Sequence, residues 1–95
     1  MPHTASSYEV IAGTATDAYV PHPYTTPRAV TEVTIWDNAL MVEYDVGGGF
    51  IGAGEIEYDP NVQSYPYPEY LKVKSIQLKN KTAGWNSRYQ FVGLL

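Results

Sequence analysis

Alternation of apolar and polar positions with a period of two dominates this chain, and no stretch sustains a 3.6-residue repeat. Residues 29–36 alternate, with Thr31, Val33 and Ile35 on one face and Val30, Glu32, Thr34 and Trp36 on the other. Residues 39–44 alternate again, grouping Leu40, Val42 and Tyr44. Between the two runs stands Asp37-Asn38, a pair that tolerates positive φ, so the pattern predicts a β-hairpin. Residues 55–59 place Glu55, Glu57 and Asp59 opposite Ile56 and Tyr58. From Tyr70 the phase changes: Leu71 and Val73 have one parity, Ile76 and Leu78 the other. A β-bulge near Lys74–Ser75, or a strand crossing between two sheets, reconciles them. A turn at Asn80–Asn86 then leads to a terminal strand through Tyr89 and Phe91.

Residues 1–28 are less regular, and only residues 8–12 read as a strand. Pro21, Pro23 and Pro27 each lack a backbone donor and push the preceding residue towards extended geometry. The reading is an extended, proline-rich arm over residues 1–28 and an antiparallel β-sandwich over 29–95, of jelly-roll type in one form. Nine tyrosines among 95 residues, with eight glycines and seven prolines, fit that all-β reading.

Composition narrows the function more than it identifies it. A domain of this length buries about 60–65% of its unfolded surface, and the chain has no cysteine to staple it. Domains in that position often gain stability by oligomerising or docking onto a larger assembly. The opening residues show no basic segment followed by an apolar one, and no apolar run approaches the roughly 20 residues of a membrane span. The expectation is a protein soluble where it is made, with no membrane partner.

Charge is segregated. Residues 1–69 carry ten acids and one base, Arg28, whereas residues 70–95 carry five bases and no acid. A basic tail raises nucleic acid as a partner, but the net charge of −4 and the alternation of Lys72, Lys74, Lys79, Lys81 and Arg88 with apolar residues favour an exposed strand face. Those lysines set against Glu55, Glu57 and Asp59 predict a charge-matched sheet, and no nucleic acid is expected.

Chemistry-bearing motifs are weak. Gly47, Gly49 and Gly52 spell G-x-G-x-x-G, but the following residues alternate like a strand, so no helix N-terminus is available for a pyrophosphate. A glycine-rich hairpin loop or bulge is the better reading. Glu43, Asp45, Glu55 and Glu57 could surround that loop and hold Ca²⁺, but their spacing fits no known calcium loop. His3 and His22 lie far apart, and no nucleophile has a positioned base. Glu55 and Glu57, about 6.5–7 Å apart on one strand, are the nearest approach to a glycosidase pair, yet cross-strand charge pairing explains them better. Asn80-Lys-Thr matches the N-glycosylation pattern and reads as turn chemistry. No enzyme, cofactor or metal is expected.

Contact chemistry is richer. Tyr65, Tyr67 and Tyr70 interleave with Pro66 and Pro68, which gives rigid aromatic area at low entropic cost. With Pro21, His22, Pro23, Tyr24 and Pro27 of the arm, and Trp85, these form the candidate interaction residues. The alternative is sugar binding, with Trp36, Trp85 and the tyrosines as stacking platforms.

The stretch Leu78-Lys-Asn-Lys-Thr-Ala-Gly-Trp-Asn-Ser-Arg-Tyr-Gln-Phe-Val-Gly93 resembles the C-terminal hairpin of small bacteriophage virion proteins, and residues 33–44 are similar in character. The resemblance covers roughly 30% of the chain and carries over no functional residue. It implies a non-enzymatic capsid decoration or cement protein, located in the virion. Its partner would be the major capsid protein or another virion protein, and it would act as a homo-oligomer, a trimer being favoured. A receptor- or carbohydrate-binding module of a head fibre or tail is the alternative.

Overall fold

The computed structural model describes residues 8–60 and 72–95. It is all-β: β1 (Tyr8–Thr14), β2 (Val20–Ile35), β3 (Leu40–Asp45), β4 (Phe50–Tyr58), β5 (Lys72–Asn80) and β6 (Arg88–Leu94). All neighbours are antiparallel, in the order β1-β6-β2-β5-β3-β4. No helix occurs among the described residues, so none is long and apolar enough to cross a membrane.

The sheet closes over its own core. Phe91 on β6 and Tyr58 on β4 are four strand positions apart, about 19 Å in a flat sheet. Their ring centroids are nevertheless 6.1 Å apart at 67°, and Tyr44 on β3 meets Phe91 edge-on at 6.4 Å. The sheet must therefore fold into two facing halves, β1-β6 with the end of β2 on one side and the start of β2 with β5, β3 and β4 on the other. Val42, Tyr44, Ile56, Tyr58, Val73, Ile76, Leu78, Tyr89 and Phe91 fill the space between, all buried. The Tyr44 and Tyr58 hydroxyls bond to each other at 2.9 Å, so neither phenol is left unsatisfied in that core.

β2 makes the fold possible by serving both halves. Residues 20–23 and 28–29 pair with β5, whereas 29–35 pair with β6. Between Pro23 and Arg28, five residues advance along β2 while β5 advances two, from Ser75 to Val73. The surplus turns Tyr24 inwards to 5% exposure, where its hydroxyl donates to the Phe91 carbonyl at 3.2 Å. Gly93 is required beneath it, since a Cβ there would lie 2.8 Å from the Tyr24 ring and 2.9 Å from Arg28 Cβ. A second, one-residue bulge at Thr31 brings Val30 onto the same face as Val33 and Ile35. The phase change expected near Lys74–Ser75 is present as well: Val73 and Ile76 are both buried, opposite the β2 bulge.

Several expectations are corrected by this topology. Residues 8–28 are not an arm apart from the sandwich: β1 lies at one edge of the sheet and residues 20–28 lie inside it. Prolines fit there because Pro21 and Pro23, two apart, aim their missing donors at one edge, while the β5 ladder continues on the other. Nor does Asp37-Asn38 turn a hairpin. β2 and β3 are separated by β5, and residues 36–39 carry the chain from one half to the other. Among the described non-glycine residues positive φ is found only at Asn86, so the pair never adopts the mirror-image turn that its sequence permits. β5 and β6 likewise are not mutual partners, since β2 runs between them.

Among the described strands the one hairpin is β3–β4, around the glycine run. Gly47, Gly48 and Gly49 all have positive φ and aim their N–H groups at Asp45 Oδ1, at 2.8, 3.3 and 3.3 Å. The loop thus cradles an anion, and that anion is the protein's own carboxylate. The register then jumps from Tyr44↔Ile51 to Val42↔Ile56, a bulge over residues 52–55. β4 pairs with β3 rather than β5, so the predicted acid-to-lysine ladder does not form directly, and Lys81 Nζ reaches Glu57 Oε2 across β3 at 2.9 Å.

Tyr58 and Phe91 touch only if the sheet folds over. A double-mutant cycle of Tyr58→Leu and Phe91→Leu, read by urea denaturation, is expected to give a coupling of about 0.5–1.5 kcal/mol. Strict additivity would contradict the packing.

Candidate contact site at one end of the sheet

Three connections meet at one end of the sandwich: residues 15–19, 36–39 and 81–87. Main-chain bonds tie them together. Ala15 N–H donates to Ser87 O at 2.8 Å, Asn80 N–H to Thr16 O at 2.8 Å, Lys81 N–H to Ala39 O at 3.1 Å and Trp36 N–H to Arg88 O at 3.1 Å. The organising side chain is Asn80, 4% exposed. Its amide donates to Asp17 Oδ1 at 2.8 Å and Asn86 Oδ1 at 3.1 Å, and its carbonyl accepts from Ser87 N–H at 3.3 Å. Asp17 Oδ1 also accepts from Gly84 N–H at 2.7 Å. Both polar groups of the Asn80 side chain are therefore used, which is what makes its burial tolerable. The same burial closes the Asn80-Lys-Thr sequon, because a glycan needs that amide free.

Ser87, fully buried, presents its Oγ to Asn38 N–H at 3.0 Å. Next to it Arg88 forks onto Asp37, Nε to Oδ2 at 2.9 Å and an Nη to Oδ1 at 3.1 Å, while Arg88 N–H donates to Oδ2 at 3.0 Å. The Arg88 side chain is 62% exposed, so this pair orients the loop more than it stabilises it. Hydrogen bonds from the Arg88 side chain and backbone hold the Asp37 carboxyl below the usual carboxylate range. Asn80 and the Gly84 N–H do the same for Asp17, and the glycine-loop N–H groups for Asp45.

Two tryptophans stand out from this frame. Trp36 is 48% and Trp85 57% exposed, so neither closes the core. The Arg88 guanidinium lies 5.9 Å from the Trp36 ring centre and covers part of that ring. Exposed Trp and Arg on a backbone that cannot easily shift form the composition from which binding hot spots are built.

The other candidate residues disperse. Pro21 and Pro23 are exposed and His22 is half-buried, near the same end, but Tyr24 is sealed in the core and Pro27 lies at the break in the middle of β2. Tyr65, Tyr67 and Tyr70 lie outside the described residues, as do His3 and the Glu55 side chain. His22 Nε2 is 3.2 Å from the Tyr89 hydroxyl, whose pKa burial raises. The pair borders a cavity of about 160 Å³ with Thr14, Thr16 and Leu78, smaller than the roughly 300 Å³ at which ligand pockets begin. Glu43 is bonded to Gln77 at 2.6 Å and Asp45 to the glycine loop. Among the described residues no three His, Asp or Glu side chains converge as metal ligands. Asp17, Ser87 and the Asp37–Arg88 fork were not legible in the sequence, and Asn80 was noticed only as a sequon in a turn. Their only signal was a concentration of Asn, Asp and Ser at what looked like ordinary turns.

No known protein family, no curated protein and no solved structure matches this chain.

Replacing Asn80 by Ala strands the Ser87 N–H and removes one of the donors to Asp17, and is expected to cost about 1–3 kcal/mol in urea denaturation, with an increase in Trp85 mobility by fluorescence anisotropy. The depressed carboxyls also set a pH dependence. Asp17, Asp37 and Asp45 have folded pKa values below 3.8, so their stabilisation is present above that value and lost as pH falls through the folded values. The urea midpoint should be flat above about pH 5 and fall below about pH 4, and an Asp→Asn triple variant should show a shallower fall.

Proposed function

We propose that this domain is a non-enzymatic contact module that docks onto a larger protein assembly through the Trp36–Trp85–Arg88 end. The observation that carries the reading is the pairing of two exposed tryptophans with a hydrogen-bonded frame in which Asn80, Ser87 and Asp37 are already satisfied. Such a frame spends its polar groups internally and leaves aromatic area and one guanidinium for a partner, so little entropy remains to be lost on binding. The sequence resemblance points to a phage capsid as the assembly. On that reading the chain is a decoration or cement protein of the virion, acting as a homo-oligomer on the major capsid protein.

A second reading is supported by Trp85, the more exposed ring, as a stacking platform for a sugar. Arg88 over Trp36 argues for the protein partner instead, because it occupies ring area that a sugar would need. Binding of purified chain to undecorated capsids separates the two. Trp85→Ala and Arg88→Ala are expected to weaken capsid binding by about 30-fold or more with little change in thermal midpoint. Undiminished capsid binding would contradict the proposal, and a glycan-induced tryptophan fluorescence change lost on Trp85→Ala would favour the sugar reading.

A further inference from the structure

The two outer strands of the sheet are built differently. β4 is interrupted by the bulge over residues 52–55, carries Glu57 and runs beside the acidic residues 55–59. Bulges and charge are how proteins keep an edge strand from pairing with another chain. β1 has no bulge, and its one charge does not stand on its exposed face. Its ladder to β6 runs unbroken from Tyr8↔Leu94 to Thr14↔Arg88, and its outer edge pairs with no strand among the described residues. It holds no proline or lysine, and its outward face shows Tyr8 at 54% and Val10 at 51% exposure. Its single charge, Glu9, is withdrawn onto the inner face. There its carboxylate accepts from Arg28 Nε at 3.1 Å, Thr25 N–H at 3.0 Å and Thr25 Oγ1 at 3.0 Å.

We propose that the β1 edge is a self-association site at which a second copy of this chain adds its own β1 in antiparallel register about Ile11. The sequence of β1 is complementary to itself in that register. Full overlap pairs Tyr8 with Thr14, Glu9 with Gly13 and Val10 with Ala12, each twice across the dyad. The one charge then faces a glycine. A register centred on Glu9 would instead set two carboxylates against each other, which disfavours the slipped alternative. Paired residues of an antiparallel ladder share a face, so Tyr8, Val10, Ala12 and Thr14 of both copies form one outer stripe, and Ile11 meets Ile11 of the second copy on the inner side. The two six-stranded sheets become one of twelve strands under a two-fold axis, an isologous contact that closes on itself. This specifies the homo-oligomer of the reading above as a dimer and is independent of the tryptophan end.

The test is sedimentation of the full chain across a micromolar to sub-millimolar dilution series, with charge-reversal rescue. The wild type should form a dimer. Val10→Glu/Ala12→Glu places like charges opposite each other at the four central positions, as does Val10→Lys/Ala12→Lys, and each alone should weaken dimerisation by about tenfold or more. Mixed in equal amounts, the two variants should regain the dimer, which a folding defect could not produce. A monomeric wild type, a trimer, or a dimer indifferent to both substitutions would overturn the proposal. Trp85→Ala should leave the dimer intact, so loss of capsid docking and loss of self-association fail separately.

Discussion

A strand of sixteen residues spans about 50 Å when straight, more than the 45 Å longest dimension of the whole protein. β2 therefore has to break, and where it breaks determines the rest. Past the residues inserted between Pro23 and Arg28 its ladder with β5 resumes for Arg28 and Ala29 alone, and the one with β6 begins at Ala29. Both halves of the sheet stay hydrogen-bonded to one continuous strand while they swing face to face over Phe91. Tyr24 fills the inside of the bend, and Gly93 gives it room. The core then closes with aromatic edge-to-face contacts, which a domain of this size needs because it has little apolar volume to spare.

The same break explains the loop end. Once β2 serves two partners, three of its neighbouring connections have to pass over a strand rather than turn tightly, and they arrive together at one end. Passing over leaves backbone groups without ladder partners, and Asn80, Ser87, Asp17 and Asp37 supply them. The tryptophans stand out from that end, whose connections are held by polar, already satisfied groups. Structure and proposed contact surface are thus one consequence of one bend.

Strands were legible in the sequence, and their partners were not. Alternation marked residues 29–36, 39–44, 55–59 and the stretch from Arg88 because each has a core face and an outer face, and the glycine run was legible as a hairpin loop or bulge through its need for positive φ. Pairing is a long-range matter. Asp37-Asn38 looked like a hairpin turn because its residues permit one, but Asp37 is held by Arg88, fifty-one positions away. The prolines at 21, 23 and 27 looked like an arm because a central strand normally excludes them. They are accommodated where one edge of β2 lies free of β6 and where the strand bulges. Trp36 was legible as an aromatic platform beside a turn, and it is exposed. At the candidate site, Trp85 was visible as a large aromatic in a turn, whereas Asn80 was hidden as one more turn asparagine.

Cross-strand nuclear Overhauser effects measure the partner exchange of β2 directly. Contacts of Val20 with Leu78 together with Thr34 with Gln90 and Ile35 with Tyr89 are expected, and with them an aromatic contact between Tyr58 and Phe91. A ladder joining residues 29–36 to residues 39–44 around Asp37-Asn38, as in a local hairpin, would contradict the account.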